Sequence, residues 1–294
     1  MTRRGLLIVN PQAGRRRGRR IEAEVTARLR GHGFALEVAR TASPGEATAL
    51  ARIAAAGGAD VVFSLGGDGT LREAAEGLLG SRTALAVLPA GTTNVVAIAL
   101  GLPLDAVAAA AAAAEWRPRA MDVGLAGGRV FLMQASAGFD GYLMARLRGG
   151  WKASWGKAAI AAQGVSAWLR YDYREITVRA EGETRTGSHV AICNLAHYGG
   201  RYLLAPAARC DDRRLDLRVF AGGRMATLAE GWRLLRGRAG KGAWSLQVER
   251  ATLLGPPGLT LQIDGDPLRV DPPVEIELAA EQLQVLAPPA APQG

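Results

Sequence analysis

The turn Gly66-Gly67-Asp68-Gly69-Thr70 constrains the fold of this chain more than any other feature. It follows the apolar run Val61-Val62-Phe63, which is typical of a buried strand, and precedes apolar residues spaced as on one helix face. Glycine lets a ligand approach the backbone closely, and a helix start offers unpaired N–H groups that suit a phosphate. Asp68 would repel a phosphate, so we expect it to hold a magnesium ion or take a proton. The alternative is a tight turn with a helix-capping aspartate.

Three further turns extend this pattern along the first 120 residues. Short apolar strands alternate there with helices, which predicts a parallel sheet covered by helices. The other strands end at Asn10-Pro11-Gln12-Ala13-Gly14, at Thr41, and at Pro89-Ala90-Gly91-Thr92-Thr93-Asn94. Because ligands bind at the carboxyl ends of strands in such sheets, the four turns predict one binding crevice. After Thr41, the segment Ser43-Pro44-Gly45-Glu46 predicts a capping box with Ser43 as the N-cap.

The sequence pattern changes near residue 120, from strands alternating with helices to a series of strands. Strands separated by Gly and Pro turns predict a β-rich, sandwich-like second domain. We therefore expect an α/β domain over 1–120 and a β-rich domain over 121–294. The candidate strands of the second domain are 122–124, 130–135, 176–179, 190–194, 215–220, 246–254, 259–263 and 274–278.

Composition limits the partners and the location. The chain has 294 residues with a net charge of +9, which favours anionic partners such as nucleotides, nucleic acid or a membrane surface. Its two cysteines and three histidines have no disulfide or metal-ligand spacing. No apolar run approaches the roughly 18 residues of a membrane span, so we expect a cytoplasmic protein. Trp151, Trp155 and Trp168 lie among Lys and Arg residues, which suits either a membrane interface or a helix packed between domains.

Five segments in this order resemble the diacylglycerol kinase catalytic-domain superfamily, most of all the bacterial soluble lipid kinases related to sphingosine and ceramide kinases. They are the Asn10 turn, the Gly66 turn, the Pro89 turn, the segment from Ala205-Pro206-Ala207 to Asp216, and Asp264-Gly265-Asp266-Pro267-Leu268. The resemblance covers nearly the whole length. It implies ATP-dependent phosphorylation of a lipid hydroxyl with Mg²⁺, at an active site between the two domains. It also implies a lipid substrate at a membrane surface, with peripheral contact at the inner face.

The resemblance also assigns residues. Nucleotide contacts would fall on Asn10, Pro11, Gly14, Thr41, Ser64, Leu65, Gly66, Gly67, Asp68, Gly69, Thr70, Gly91, Thr92 and Asn94. A structural magnesium would be held by Asp212 with the carbonyls of Arg209 and Arg214. The catalytic carboxylates would be Asp264 and Asp266, with Asp68 serving the nucleotide-bound magnesium. From the residues alone, Asp264-Gly265 is equally a β-hairpin turn, and the acids around Asp212 are equally an exposed acidic turn.

Three positions depart from the family pattern. Asp266 stands where glutamate is usual, Val95 where many bacterial members carry an acid, and Arg213 where glycine is usual. The first two motivate one alternative, a catalytically weak nucleotide-binding protein. A second alternative is a soluble-substrate kinase such as an NAD kinase. The Pro89 turn and the Asp264-Gly265-Asp266 segment argue against this alternative. Nucleic acid is not an expected partner, because only the charge favours it and no recognisable motif does.

Overall fold

The computed structural model describes residues 2–13, 18–149, 156–237 and 242–288. Gly14, Trp151 and Trp155 lie outside the described residues. The chain forms two compact units. The first comprises Met1–Asp122, Gly199–Arg201 and Ala280–Gly294, and the second Val123–Tyr198 and Tyr202–Ala279.

Helices and strands alternate in the first unit, as the sequence predicts. Its elements, up to the domain boundary, are β1 (Arg3–Val9), α1 (Gly18–Gly31), β2 (Phe34–Arg40), α2 (Glu46–Ala56), β3 (Val61–Gly66), α3 (Asp68–Leu78), β4 (Ala84–Pro89), α4 (Val95–Ala99), α5 (Ala106–Ala112) and β5 (Arg117–Met121). The strands β3 and β4 are buried along their whole length, as expected of strands covered by helices on both faces.

The remaining elements follow in chain order. They are β6 (Gly124–Ala126), β7 (Arg129–Phe131), β8 (Gln134–Gly138), α6 (Phe139–Gly149), α7 (Gly156–Arg170), β9 (Ile176–Ala180), β10 (Glu183–Gly187), β11 (His189–Cys193), β12 (His197–Tyr198), β13 (Tyr202–Leu203), β14 (Leu215–Phe220), α8 (Arg224–Leu235), β15 (Ala243–Val248), β16 (Arg250–Leu254), β17 (Leu259–Ile263), β18 (Asp266–Val270), β19 (Val274–Leu278) and β20 (Leu283–Ala287).

The sheet of the first unit has the strand order β2-β1-β3-β4-β20-β5. The strands β2, β1, β3, β4 and β20 run parallel to one another, and β5 runs antiparallel to β20. On α3, Leu71, Ala74, Ala75 and Leu78 are buried, which matches the predicted helix face. Gly77 lets α3 approach α2, because a Cβ there would lie 2.3 Å from the carbonyl oxygen of Thr48.

The C-terminal strand corrects the expected division of the chain. We expected all of 121–294 in the second domain, but β20 pairs with β4 and β5 in the sheet of the first unit. Its residues Leu283, Val285 and Leu286 are buried there. The physical reason is that β20 covers the edge of β4, which would otherwise expose a row of unpaired backbone groups.

The start of α2 is a second correction. Ser43 is not the N-cap, because the helix begins at Glu46 and its N-cap is Gly45, with a φ of 87°. The Glu46 carboxylate instead accepts hydrogen bonds from the amide of Ala42 at 2.6 Å and the hydroxyl of Ser43 at 2.8 Å. These bonds, the first being the larger cause, lower the pKa of Glu46.

The second unit is a sandwich of two six-stranded antiparallel sheets, which confirms the predicted β-rich fold. The sheet orders are β10-β9-β16-β19-β6-β7 and β15-β14-β11-β8-β17-β18. One apolar core takes side chains from both sheets, such as Ile176 and Val178 from β9 and Val190 and Ile192 from β11. Two expected strands are each split: 130–135 becomes β7 and β8, and 246–254 becomes β15 and β16, which lie in different sheets.

Among the described residues, no helix combines the length and the apolar character needed to cross a membrane.

Candidate active site

The four predicted turns lie side by side at one edge of the first sheet. Backbone hydrogen bonds continue the parallel ladders one residue past the strand ends. The amide of Asn10 donates to the carbonyl of Leu65 at 3.0 Å, and that of Ala90 to Gly66 at 2.8 Å. The amide of Thr41 donates to Val9 at 2.9 Å. This edge is where α/β sheets bind ligands.

Asn10 joins the first turn to the start of α3. Its side-chain nitrogen donates to the hydroxyl of Thr70 at 2.8 Å, and its side-chain oxygen accepts from the amide of Gln12 at 2.9 Å. Thr70 is itself buried. Gly66 makes this approach possible, because a Cβ there would lie 2.8 Å from the Cβ of Thr70. The side chains of Asn10 and Thr70 therefore fix the geometry of the glycine-rich turn.

Asp68 joins the glycine-rich turn to the turn after β4. Its carboxylate accepts hydrogen bonds from the hydroxyl of Thr93 at 2.8 Å and from the amide of Val95 at 3.3 Å. Val95 is the first residue of α4, so Asp68 caps a helix that begins 27 positions later along the chain. The predicted role of Asp68 toward magnesium stays a prediction, and its capping role is visible directly.

Asn94 shapes the last of the four turns. It is the N-cap of α4 and has a φ of 48°. Its side chain bonds twice to Gly91, accepting from the amide and donating to the carbonyl, each at 3.0 Å. Gly91 is required because a Cβ there would lie 2.7 Å from the Cα of Gly67. Thr92, beside them, is exposed.

Gly69 differs from Gly66 and Gly91, because the fold does not require a glycine there. It lies exposed in the first turn of α3, outside the positive-φ region, and a Cβ would meet no atom within 4 Å. A helical glycine costs about 0.5–1 kcal/mol relative to alanine. Because the fold does not need this costly glycine, we look to a ligand for the reason. The open surface at Gly69 adjoins the N–H groups of the helix start, where an anion is favoured.

A cavity of about 780 Å³ adjoins the same edge. Its lining includes Asn10, Pro11 and Leu65 from the predicted set, together with Arg40 and Glu22. Arg40 pairs with Glu22 at 2.5 Å. The volume falls in the range of about 300–1,000 Å³ common for small-molecule sites. Ser64 and Leu65 themselves are 2% and 3% exposed inside β3, and their contact with a nucleotide stays a prediction.

In the second unit, Asp264 and Asp266 lie on the hairpin that the sequence allowed. The strands β17 and β18 pair, with Asp264 and Gly265 at the turn in positive φ, 50° and 86°. The buried carboxylate of Asp264 accepts hydrogen bonds from the amides of Leu132, Met133 and Gln134 at 2.7, 2.9 and 3.0 Å. It thereby orders the loop between β7 and β8. Asp266 is half-buried at the start of β18.

Sequence reasoning missed a buried polar cluster in the second unit. The carboxylate of Asp140 accepts from Ser136 at 2.6 Å, Tyr198 at 2.5 Å and Gln262 at 3.2 Å. Burial, and then the charge of Asp140, raise the pKa of Tyr198 well above its usual value. No local motif could reveal this cluster, because Asp140 and Gln262 are 122 positions apart in the chain.

The loop predicted to hold a structural magnesium contains acids and arginines in separate pairs. Asp212 accepts from the amide of Arg214 at 3.0 Å, and the guanidinium of Arg214 lies 3.6 Å from Glu181 and 3.5 Å from Glu249. Arg209 pairs with Asp211 at 3.1 Å. In the described ranges, no three His, Cys, Asp or Glu side chains come together as a metal-ligand group.

One observation nevertheless fits a cation at this loop. Asp216 is 7% exposed, and one of its carboxylate oxygens is buried without a hydrogen-bond partner. Burial, and then the negative charge of Asp212, raise the pKa of Asp216. Two mutually repelling carboxylates are the donors that a hard divalent cation prefers. Asp212 in the loop and Asp216 in β14 therefore fit a cation. Ligation by the backbone carbonyls of Arg209 and Arg214 stays a prediction.

The first unit has the features of an α/β nucleotide-binding domain: a parallel sheet, a glycine-rich turn and an open helix start at the carboxyl edge. Family models agree with this class. Residues 4–126 match the diacylglycerol kinase catalytic domain, and residues 133–287 match the YegS C-terminal NAD kinase beta sandwich-like domain.

Individual relatives give the family. The chain is 30% identical over 284 residues to a "Probable lipid kinase YegS-like" of Pseudomonas syringae pv. tomato, covering 91% of this chain and 86% of that one. It is 32% identical over 277 residues to the protein of that name from Pseudomonas aeruginosa PAO1, covering 90% and 87%. A crystal structure of a diacylglycerol kinase from Bacillus anthracis str. Sterne shares the fold, with a TM-score of 0.76, 23% identity and coverage of 98% and 97%.

The chain belongs to the YegS-like lipid kinase family. The predicted resemblance and the predicted fold class are both confirmed. Membership in a kinase family implies the use of ATP.

Proposed function

We propose that this chain transfers the γ-phosphate of ATP, bound with Mg²⁺, to the hydroxyl of a diacylglycerol-like lipid. The observation that carries the proposal is the linked edge of the first unit. Asn10, Asp68 and Asn94 tie three turns together and leave the helix start beside Gly69 open. That arrangement suits the phosphates of a nucleotide, and membership in a lipid kinase family supports a lipid as the acceptor.

Phosphoryl transfer depends on positioning and on neutralising charge, and a bound Mg²⁺ would supply positive charge to the phosphates. In the first unit, the N–H groups at the start of α3 would hold phosphate oxygens, with Asn10 and Thr70 fixing their direction. Asp68 would keep the two glycine-bearing turns in register through Thr93 and the amide of Val95.

In the second unit, we assign the acceptor-activating carboxylate to Asp266. It is half-buried, so it retains surface for a substrate hydroxyl. Asp264 would hold the loop between β7 and β8 in place and would not take the proton, because its carboxylate already binds three backbone amides. A positioned base typically contributes about 10²–10⁴ in rate. Asp212 and Asp216 would hold a structural Mg²⁺ that stabilises their loop.

The test is transfer of labelled γ-phosphate from ATP-Mg²⁺ to a panel of lipids in mixed micelles, with NAD as the competing soluble acceptor. We expect label on a lipid. Label on NAD alone would refute the proposal in favour of a soluble-substrate kinase. ATP binding without transfer to any acceptor would refute it in favour of a non-catalytic nucleotide-binding protein.

A matched pair of variants separates capping from chemistry. Asp68 caps α4, and Asp105 caps α5 by accepting from the amide of Ala108 at 2.8 Å. Asp68→Asn and Asp105→Asn make the same chemical change at two helix starts of the same unit. Asparagine caps a helix about as well as aspartate, so we expect both variants to keep the wild-type stability within about 0.5 kcal/mol and only Asp68→Asn to lose turnover. Equal turnover in the two variants would remove Asp68 from the active site.

A further inference from the structure

The helices α7 and α8 carry an unusual share of the exposed apolar surface. In the part of the chain that the structure describes, nine large apolar side chains are strongly exposed, and six of them lie on these two helices. We call these six the α7–α8 apolar surface: Val165, Leu169, Met225, Leu228, Trp232 and Leu235. Contiguous exposed apolar residues on one surface usually mark an interaction site, whereas scattered ones do not.

The helix α8 turns its apolar face away from the protein. Its inner face carries Thr227, Glu230 and Leu234, which are half-buried, and Leu234 packs against a small core cluster. Met225, Leu228, Trp232 and Leu235 recur at intervals of three and four residues, which places them on the opposite face of the helix. They are 70%, 49%, 57% and 60% exposed. An amphipathic helix normally buries this face, so the inversion calls for an external partner.

Specific hydrogen bonds hold α7 and α8 together. The indole nitrogen of Trp168 donates to the carbonyl of Arg224 at 2.8 Å. The guanidinium of Arg224 donates in return to the carbonyl of Leu169 at 2.9 Å. The end of α7 is thus joined to the start of α8, which places Leu169 of α7 close to Met225 of α8.

The charges around the surface indicate what covers it. Arg224 and Arg236 flank the apolar face of α8, and the Arg236 guanidinium lies 4.5 Å from the ring centre of Trp232. The acid of α8, Glu230, lies on the inner face and pairs with Arg233 at 3.2 Å. The outer face of α8 therefore offers apolar and cationic groups without an acid. A second copy of the chain would bring like charges together, whereas anionic lipid headgroups complement both features.

We propose that the α7–α8 apolar surface docks this protein on an anionic membrane. The apolar side chains enter the boundary between headgroups and acyl chains, and the flanking arginines bind lipid phosphates, as interfacial helices do. The biological role of this docking rests on the proposed function, because docking brings a lipid kinase to a substrate that resides in a membrane. Its physical basis is the surface itself, and it is tested by binding alone.

The experiment is co-sedimentation with vesicles of phosphatidylcholine alone and of phosphatidylcholine and phosphatidylglycerol in equal parts. The variant is Leu228→Glu with Trp232→Glu. The matched control is Ile53→Glu with Leu104→Glu, which replaces two exposed apolar residues of the first unit, 70% and 41% exposed. We expect the wild type to bind the anionic vesicles in a salt-sensitive way, and the variant to bind about tenfold or more weakly. The control should bind like the wild type, and all three proteins should melt alike.

Equal sedimentation of variant and control, or no binding by the wild type, would overturn the proposal. A wild-type dimer that the variant converts to a monomer would also overturn it, by assigning the surface to a second copy. Kinase assays separate this result from the proposed function. If docking holds, the variant keeps turnover on a short-chain lipid dispersed in detergent and loses it on vesicles. Vesicle binding that the variant abolishes, in a protein that phosphorylates no acceptor, would support docking and refute the kinase proposal.

Discussion

Gly69→Ala should improve the fold and impair nucleotide binding at the same time. The added Cβ meets no protein atom within 4 Å, and the residue lies in the first turn of α3 outside the positive-φ region. Alanine is favoured over glycine in a helix by about 0.5–1 kcal/mol, so the variant should gain up to about that much stability. In a domain of this size, the gain corresponds to a rise in Tm of about 1–4 °C.

The same methyl group would occupy the open surface where we place a phosphate. We expect it to weaken ATP binding at least about tenfold, which corresponds to about 1.4 kcal/mol. Differential scanning fluorimetry gives the stability, and equilibrium binding of a fluorescent ATP analogue gives the affinity.

Gly77→Ala is the matched control, because it makes the same change two turns further along the same helix. There the new Cβ would lie 2.3 Å from the carbonyl oxygen of Thr48, so we expect a loss of stability of about 1–3 kcal/mol. The folded fraction should bind ATP like the wild type. If Gly69→Ala binds ATP as tightly as the wild type, the assignment of the phosphate to the start of α3 is wrong.

Three further predictions concern carboxylates. Asp264→Asn should lower the stability of the second unit by about 2 kcal/mol, because one of the three buried amides that it binds loses its acceptor. Asp266→Asn should keep the wild-type Tm and lower kcat about 10²–10⁴-fold. The reverse pattern would exchange the roles of Asp264 and Asp266. Millimolar Mg²⁺ should raise the Tm of the wild type but not of Asp216→Asn, and equal shifts would exclude a cation at that loop. The lowered pKa of Glu46 means that its contribution is present above its unfolded pKa, near 4.5, and is lost as the pH falls through its folded pKa. Glu46→Gln should flatten the acid side of the stability profile, and an unchanged profile would contradict this.

Local patterns were sufficient to predict the core of the first unit. The buried run of β3, the glycine-rich turn and the apolar face of α3 are adjacent in the chain, so their spacing specifies them without knowledge of the rest. The alignment of the four turns followed from a general property of parallel sheets. Both the α/β domain and the β-rich domain could therefore be predicted from the sequence.

Contacts between residues far apart in the chain could not be predicted in the same way. A five-residue apolar strand such as β20 can pair with any exposed sheet edge, and nothing in its spacing selects β4 over a strand of the sandwich. The capping of α4 by Asp68 likewise joins residues 27 positions apart. Ser43 failed as an N-cap because Gly45 takes the left-handed conformation and lets the helix begin at Glu46.

The same limit applies to the second unit. The hairpin at Asp264 was an open alternative, and its turn does have the predicted form. Its bonds to the amides of Leu132 and Met133 depend on two strands that the sequence presented as one continuous run. The helix α8 was not among the elements expected from the sequence, so its outward apolar face was missed as well. Even where the spacing of apolar residues identifies a helix face, it does not show to which side the fold turns that face.

Identification of the phosphorylated product tests directly whether this chain phosphorylates a lipid hydroxyl. The protein would be incubated with ATP-Mg²⁺, a total lipid extract and NAD, and every acceptor would be examined by mass spectrometry for the gain of one phosphate. We expect a lipid hydroxyl to gain the phosphate with the wild type and the product to be lost with Asp266→Asn, whose ATP binding and Tm should be unchanged. A phosphate on NAD with none on lipid, or equal lipid product from Asp266→Asn, would contradict it.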